Sequence, residues 1–408
     1  MVVTILPKKL KGEVNVPPSK SVAHRLIIAA ALAEGRSVVK NLSFSKDITA
    51  TVNAMRALGA QIDIKGDTAV IRGIEKVPEK AVIDCCESGS TLRFLIPVAC
   101  ALGVETTFLG QGKLPQRPIT PYLEELPKHG AEFVYEGTMP FTVKGRLECG
   151  EYKLRGDISS QFVTGLMFAL ALLKGESRIT LTTPLESKPY VDITADCLSK
   201  CGAQITCDEN GYTVKGAALH AFEETTEADY SQAAFFYVAN SLGSSVKIKG
   251  LNEKSYQGDK KIVEICKEIV YNNNGSLRPF ELDCSDIPDL VPILAVLGSF
   301  CEGKSRIYNV GRLRIKESDR LEAVRCCLNA MGGNVTAGQD FLVIEGAKDL
   351  EGAKVDCFND HRIAMAMAVA STRCKSPVTL VGAQCVEKSY PDFFDVLKTL
   401  GAELTVEN

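Results

Sequence analysis

Apolar residues run along this chain in two alternating patterns. Six segments, residues 26–33, 92–102, 162–173, 233–242, 290–300 and 363–370, are apolar on nearly every side. Segments of this length without a polar face predict buried helices. After each comes a break, at Gly35, Gly103, Gly175, Gly243 and Gly303, with Cys374-Lys375 in its place the sixth time. A β-branched strand follows, as at Ser37-Val38-Val39 and Ser245-Val246-Lys247-Ile248. A second helix then closes on a glycine and a small residue: Gly59-Ala60, Gly130-Ala131, Gly202-Ala203, Gly275-Ser276, Gly332-Gly333 and Gly401-Ala402. The glycine reads as the helix C-cap. A short alternating strand such as Gln61-Ile62-Asp63-Ile64 completes the unit.

These closing pairs recur every 57 to 73 residues, so the chain reads as six copies of one unit. Alternating strands and helices predict an α/β fold with right-handed crossovers. Six copies divide into two lobes of three. The polar stretch 221–229 lies between copies three and four and reads as a linker. The expected lobes are therefore residues 14–225, and residues 1–13 with 226–408. One strand, Val2 to Leu6, precedes the first copy and is expected to pair with the second lobe, since sheet edges are normally completed. The chain would then cross twice, near Val14-Asn15-Val16-Pro17 and near 223–227. A two-stranded hinge of this kind implies an inter-lobe cleft.

Composition narrows the class. The chain has 408 residues, 45% hydrophobic and 24% charged, which is ordinary for a globular protein. A net charge of -3 argues against a general nucleic-acid binder. Fifteen cysteines without a CxxC, and only four histidines, give no zinc spacing and read as reduced, mostly buried thiols. The N-terminus lacks a signal-peptide pattern, and no apolar run is long enough to span a bilayer. A cytoplasmic protein with no membrane partner is expected.

The openings of the buried helices carry the chemistry. They read Pro17-Pro18-Ser19-Lys20-Ser21-Val22-Ala23-His24-Arg25, Glu87-Ser88-Gly89-Ser90-Thr91-Leu92-Arg93, Asp157-Ile158-Ser159-Ser160-Gln161, Asp286-Ile287-Pro288-Asp289 and Asn359-Asp360-His361-Arg362. Any one serine there is explained as an N-cap. Arginines at a helix start oppose the helix dipole unless an anion sits there, and Arg25, Arg93 and Arg362 all do so. Residues 312–320 pack Arg312, Arg314, Lys316 and Arg320 with Glu317 and Asp319. Ser318 or Asp319 caps the helix that follows, and helical spacing places Lys316 and Glu317 on the face of Arg320. Loops add Arg117 between prolines in an extended segment, Lys188 before Tyr190, and Lys388 before Tyr390. No Gly-rich nucleotide loop occurs. The pattern points to recognition of compact, multiply charged anions, with Asp and Glu present for proton transfer.

Several of these segments, in order from residue 18 to residue 392, resemble the 5-enolpyruvylshikimate-3-phosphate synthases, also called 3-phosphoshikimate 1-carboxyvinyltransferases. The matches are Pro18-Ser19-Lys20-Ser21 with Arg25, Gln116-Arg117-Pro118-Ile119, Ser159-Ser160-Gln161-Phe162, Ser187-Lys188-Pro189-Tyr190, Ile287-Pro288-Asp289, Arg314 to Arg320, Asn359 to Met365 and Lys388-Ser389-Tyr390-Pro391-Asp392. The resemblance implies two lobes, each of three βαβαββ repeats. It implies transfer of the enolpyruvyl group from phosphoenolpyruvate to the 5-hydroxyl of shikimate 3-phosphate, in aromatic amino-acid biosynthesis, by a monomer without metal or organic cofactor. It assigns shikimate 3-phosphate to Lys20, Ser21, Arg25, Ser159, Ser160, Gln161, Ser187, Tyr190, Asp289 and Lys316. Phosphoenolpyruvate goes to Lys20, Gly89, Ser90, Arg117, Gln161, Arg320, Arg362 and Lys388. Asp289 becomes the base, Glu317 the acid, and Lys20 a participant in proton transfer.

Two positions depart from the family pattern. Glu87 stands where Asn is usual, and its charge would repel phosphoenolpyruvate unless turned away or paired. Arg312 stands where Asn is common and is expected to contact shikimate 3-phosphate. The sister transferases that act on a UDP-aminosugar typically carry a Cys in the loop that here reads Gly110-Gln111-Gly112-Lys113-Leu114-Pro115-Gln116-Arg117, which has none.

Overall fold

The computed structural model describes residues 1–271 and 276–407. Contacts divide the chain into two compact units, Pro18–Glu227, and Met1–Pro17 with Ala228–Asn408. Twelve α-helices, two per repeat, are numbered here in chain order among the described residues. They are α1 (Lys20–Leu32), α2 (Lys46–Ala57), α3 (Gly89–Leu102), α4 (Thr120–Glu125), α5 (Ser160–Ala171), α6 (Lys188–Lys200), α7 (Tyr230–Ser241), α8 (Ile262–Ile269), α9 (Val291–Gly298), α10 (Arg320–Ala330), α11 (His361–Ala370) and α12 (Phe393–Thr399).

The second repeat shows how one unit is built. Lys80–Asp84 and Glu105–Leu109 pair in parallel, joined by the crossing helix α3. After α4 the chain returns as Ala131–Val134 and Phe141–Gly145, and the latter pairs antiparallel with Glu105–Leu109. The third repeat repeats this order with Glu151–Leu154, Glu176–Leu181, Gly211–Lys215 and Gln204–Asp208. In the first repeat the leading strand is supplied from far along the chain: Glu223–Thr225 pairs in parallel with Arg36–Lys40. The second helices end as their glycines predict. Gly59, Gly130, Gly202, Gly332 and Gly401 all take positive φ. Gly275, the marker of the fourth repeat, lies outside the described residues.

The C-terminal unit is completed by the start of the chain. Val2–Ile5 inserts between Val378–Val381 and Leu404–Glu407, antiparallel to both. Lys11–Asn15 pairs in parallel with Ser245–Lys249 and opens the fourth repeat. That pairing carries Val14 and Val16 into buried contacts of the C-terminal unit. The division therefore falls after Pro17 and after Glu227, a few residues beyond the positions read from the sequence. The fourth repeat also departs from its siblings. Among the described residues it forms two two-stranded ladders in place of a four-stranded sheet.

The first helices are buried as their composition requires. Every residue of α9 and of α11 is buried. In the N-terminal unit α3 and α5 meet at Gly165. A Cβ there would lie 2.3 Å from the Arg93 carbonyl oxygen and 2.5 Å from Tyr122 Oη. The Tyr122 hydroxyl sits 2.8 Å from the carbonyl oxygens of both Arg93 and Phe162. Gly165→Ala is expected to lower the unfolding free energy by about 1–3 kcal/mol through overpacking, read by urea titration.

Candidate functional site

The capping residues come first, because they decide which groups remain for a ligand. Ser19, Ser88, Ser159, Asp229 and Asp360 are the N-caps of α1, α3, α5, α7 and α11, and each side chain accepts a backbone N–H of its own first turn. The residues just inside these caps are Lys20-Ser21, Gly89-Ser90, Ser160-Gln161, Tyr230-Ser231 and His361-Arg362.

In the N-terminal unit three side chains converge on Gly89. A Cβ at Gly89 would stand 2.8 Å from Arg117 Nη1, 3.4 Å from Gln161 Oε1 and 3.9 Å from Arg93 Nη1. Arg93 Nη1 donates to Gln161 Oε1 at 2.8 Å, and Gln161 Nε2 donates to Ser90 Oγ at 3.0 Å. Arg93 also donates to the Pro118 carbonyl at 3.0 Å, next to Arg117. Lys20 Nζ pairs with Asp47 Oδ2 at 2.9 Å. Arg25 is nearly fully buried and lies over the Phe94 ring. It donates to Thr194, Thr164 and the carbonyls of Ser21 and Tyr190. Burial lowers its pKa to about 10. Ser187 adopts φ +57, a strained conformation for serine, and its hydroxyl makes no capping bond to α6.

In the C-terminal unit one guanidinium organises the cluster. Arg320, 1% exposed, donates Nη1 to Asp289 Oδ1 at 2.9 Å, Nη2 to Glu317 Oε2 at 2.7 Å and Nε to Asp360 Oδ2 at 2.8 Å. Asp360 is fully buried and also accepts from Ser318 Oγ and from the Arg362 amide. Arg362 Nη2 reaches the other Asp289 oxygen at 2.7 Å and Ser231 Oγ at 3.1 Å. Lys388, buried, donates to the Asn359 carbonyl at 2.8 Å. Arg312 donates to the Ser285 carbonyl, just before Asp289.

The electrostatics follow from this packing. Burial alone would raise the Asp289 pKa, but Arg362, Arg320 and Lys316 together hold it well below the carboxylate range. Burial would likewise lower that of Arg320, yet Asp360, Glu317 and Asp289 outweigh it and push the value up. Lys316 goes the other way. Burial brings it down to about 7, with Asp289 opposing and the charges of Arg312 and Arg320 assisting. Lys316, Arg312, Arg320, Arg362 and Lys388 outnumber the carboxylates Asp289, Glu317 and Asp360. The excess favours an anion.

Several expectations shift. Asp319, and not Ser318, caps α10. Lys316 lies before the cap in extended backbone, so helical spacing does not place it on the face of Arg320; Glu317 reaches Arg320 across the cap. Leu114–Gln116 forms a 3-10 turn, leaving only Arg117 extended. Lys188 is half-exposed and pairs with Asp192, unlike the buried Lys388. Glu87 is turned toward the following loop, where a Cβ on Gly112 would meet its Oε2 at 2.6 Å. Sequence reasoning noticed Arg93 at its helix start but gave it no role, and it passed over Asp47 and Ser231. The cost of placing Arg93 against the dipole was the one signal available for it. Among the described residues no group of three or more His, Cys, Asp or Glu could hold a metal ion.

The profile of the EPSP synthase (3-phosphoshikimate 1-carboxyvinyltransferase) family matches residues 6–397. A 3-phosphoshikimate 1-carboxyvinyltransferase of Clostridium botulinum is 45% identical over 97% of this chain and 96% of its own length. One from Clostridium kluyveri is 44% identical over 98% of each chain. The solved structure of an EPSP synthase from Acinetobacter baumannii superposes with a TM-score of 0.83 at 25% identity, covering 99% of this chain and 100% of that one. The chain belongs to the EPSP synthase family. Its activity is enolpyruvyl transfer in the shikimate pathway, with phosphoenolpyruvate and shikimate 3-phosphate as substrates.

The buried Asp360 gives a direct structural prediction. Asp360→Ala leaves Arg320 Nε without its acceptor and removes the cap of α11, and should cost about 3–5 kcal/mol in urea unfolding.

Proposed function

We propose that the residues of the two clusters divide the substrates and the proton transfers of this reaction as follows. Phosphoenolpyruvate is taken by Lys20, Gly89, Ser90, Arg117 and Gln161 of the N-terminal unit and by Arg320, Arg362 and Lys388 of the C-terminal unit. Shikimate 3-phosphate is taken by Lys20, Ser21, Arg25, Ser159, Ser160, Gln161, Ser187 and Tyr190, and by Asp289, Arg312 and Lys316. Arg25 gives its N–H groups largely to protein acceptors, so it serves chiefly by fixing Ser21 and Tyr190. Ser159 serves in the same way, as the cap that orients Ser160 and Gln161.

The observation that carries the reading is Asp289 held between Arg320 and Arg362. In that state it is ionised but a feeble base. An arriving phosphate and carboxylate compete for the same guanidiniums. As these turn to the anion, the proton affinity of Asp289 rises toward an ordinary carboxylate. Asp289 then takes the proton of the 5-hydroxyl as its oxygen bonds to the enol carbon. Glu317, released from Arg320 by the same exchange, takes up a proton and delivers it to the methylene carbon. The resulting tetrahedral adduct gives a methyl proton back to the Glu317 carboxylate as the C–O bond to phosphate breaks; phosphate leaves with the bonding electrons and takes the proton held by Asp289. Lys20, held by Asp47, lies on the same proton route. Arginines and lysines offset the repulsion between two polyanions, and orientation supplies part of the rate. A net charge of -3 supports the absence of a nucleic-acid partner and free thiols a cytoplasmic location, and a monomer is what the family resemblance implies.

A coupled phosphate-release assay tests the reading; release should require both substrates. In Gly89→Ala a methyl group displaces Arg117, so the KM for phosphoenolpyruvate should rise about tenfold or more while that for shikimate 3-phosphate stays within about twofold. An unchanged KM for phosphoenolpyruvate would remove Gly89 and Arg117 from its site.

Lys316 gives a pH prediction. With a pKa of about 7 it is mostly neutral at pH 8, where a phosphate monoester is already a dianion. A bound phosphate favours the charged amine, so binding takes up a proton. Affinity for shikimate 3-phosphate should therefore fall as pH rises through about 7. Calorimetry at pH 8 in buffers of different ionisation enthalpy should detect the uptake, and Lys316→Met should abolish it.

A further inference from the structure

The six repeats place one residue in the same position each time. The second residue of the first helical turn is Ser21 in α1, Ser90 in α3, Gln161 in α5, Asp289 in the 3-10 turn leading into α9, and Arg362 in α11. All five are assigned to substrate above. The corresponding residue of α7, in the fourth repeat, is Ser231. Its sequence neighbours, Asp229-Tyr230-Ser231-Gln232, look like an ordinary capped helix start, and nothing above gives Ser231 a role.

Its contacts are directional. Ser231 is 3% exposed. Its hydroxyl donates to Asp229 Oδ1 at 2.5 Å, which fixes the hydroxyl proton and turns an oxygen lone pair outward. Asp229 is itself held in place, accepting the Ser231 amide at 2.8 Å and the Gln232 amide at 3.3 Å. The exposed lone pair accepts from Arg362 Nη2 at 3.1 Å. The second Nη2 hydrogen goes to Asp289 Oδ2 at 2.7 Å. Two acceptors at fixed directions on one nitrogen set the plane of a guanidinium, and a planar fork binds a carboxylate or phosphate well only when its plane is right. When the anion draws Arg362 Nη2 from the Asp289 carboxylate, Ser231 still orients that nitrogen, while Nη1 keeps its longer contact, 3.3 Å, to the Asp289 carbonyl.

We propose that Ser231 is a positioning residue for phosphoenolpyruvate, acting through Arg362. The proposal rests on the assignment of Arg362 to that substrate. Ser231→Ala retains the backbone bonds of the Asp229 cap and removes the Arg362 acceptor together with the hydroxyl bond to Asp229 Oδ1. It should raise the KM for phosphoenolpyruvate roughly tenfold, the loss of one hydrogen bond to a charged group. The KM for shikimate 3-phosphate should stay as in the parent, and the melting temperature within about 2 °C of it, the cost of the lost bond to Asp229.

A double-mutant cycle with Arg362→Gln separates the possibilities. Arg362→Gln alone should raise the same KM further, and Ser231→Ala added to it should change nothing more. If Arg362→Gln leaves the KM for phosphoenolpyruvate unchanged, the assignment of Arg362 fails and takes this proposal with it. If Arg362→Gln raises it while Ser231→Ala does not, the proposal for Ser231 alone is overturned. Additive effects, or a matching shift in both KM values and the melting temperature, would also overturn it, since Ser231 would then act through stability or another group.

Discussion

A buried arginine bound by three carboxylates is the interaction on which the site depends. Burying Arg320 without partners would cost several kcal/mol, and burying Asp360 without partners would cost as much. They are tolerated because every strong direction of the guanidinium finds an acceptor: Asp289, Glu317 and Asp360. These three acceptors come from the start of the fifth repeat, the loop before α10 and the cap of α11. One guanidinium thus ties together the segments that carry both proposed proton-transfer groups. A network that is complete is stable, and the same network with one member missing is worse than an apolar core. That explains why so many charged groups are packed into so little space.

On the proposed assignment the same contacts keep the resting protein unreactive. Asp289 is clamped between two arginines and lies far below its ordinary pKa. A substrate anion would compete for those donors, so the proposed base would gain strength only as the substrate arrives. Lys316 is tuned in the opposite sense, brought to about 7 by burial, and would gain its proton from the approach of a phosphate. In the N-terminal unit the balance differs. Arg93, Gln161 and Ser90 are linked in a neutral-acceptor chain around Gly89, where the missing Cβ leaves room for the Arg117 guanidinium.

Much of this was legible in the sequence, because repeats and motifs are local. The six apolar helices, the C-cap glycines that close the second helices among the described residues, and the chemistry-bearing helix starts all follow from composition and periodicity. The pairing of Val2–Ile5 within the C-terminal unit followed from counting an unmatched strand; that it enters the sheet of the last repeat did not. What was missed is tertiary. Asp47 carries no local signal, Asp229 reads as the end of a linker, and Asp360 reads as part of a helix opening. The cations paired with Asp47 and Asp360, Lys20 and Arg320, are 27 and 40 positions away. Only the fold separates an acid that merely caps from one that also aims a cation. Helical spacing failed for Lys316 because the helix starts later, at Arg320. The two separate ladders that the fourth repeat forms among the described residues had no signal in the alternating pattern.

The most direct test concerns the base. A preformed complex of Asp289→Asn with both substrates, followed by rapid quench, separates chemistry from binding. The account predicts that both substrates still bind and that phosphate release falls by about a thousandfold or more, the scale of losing a positioned base. Release at the parent rate from the bound complex would contradict it.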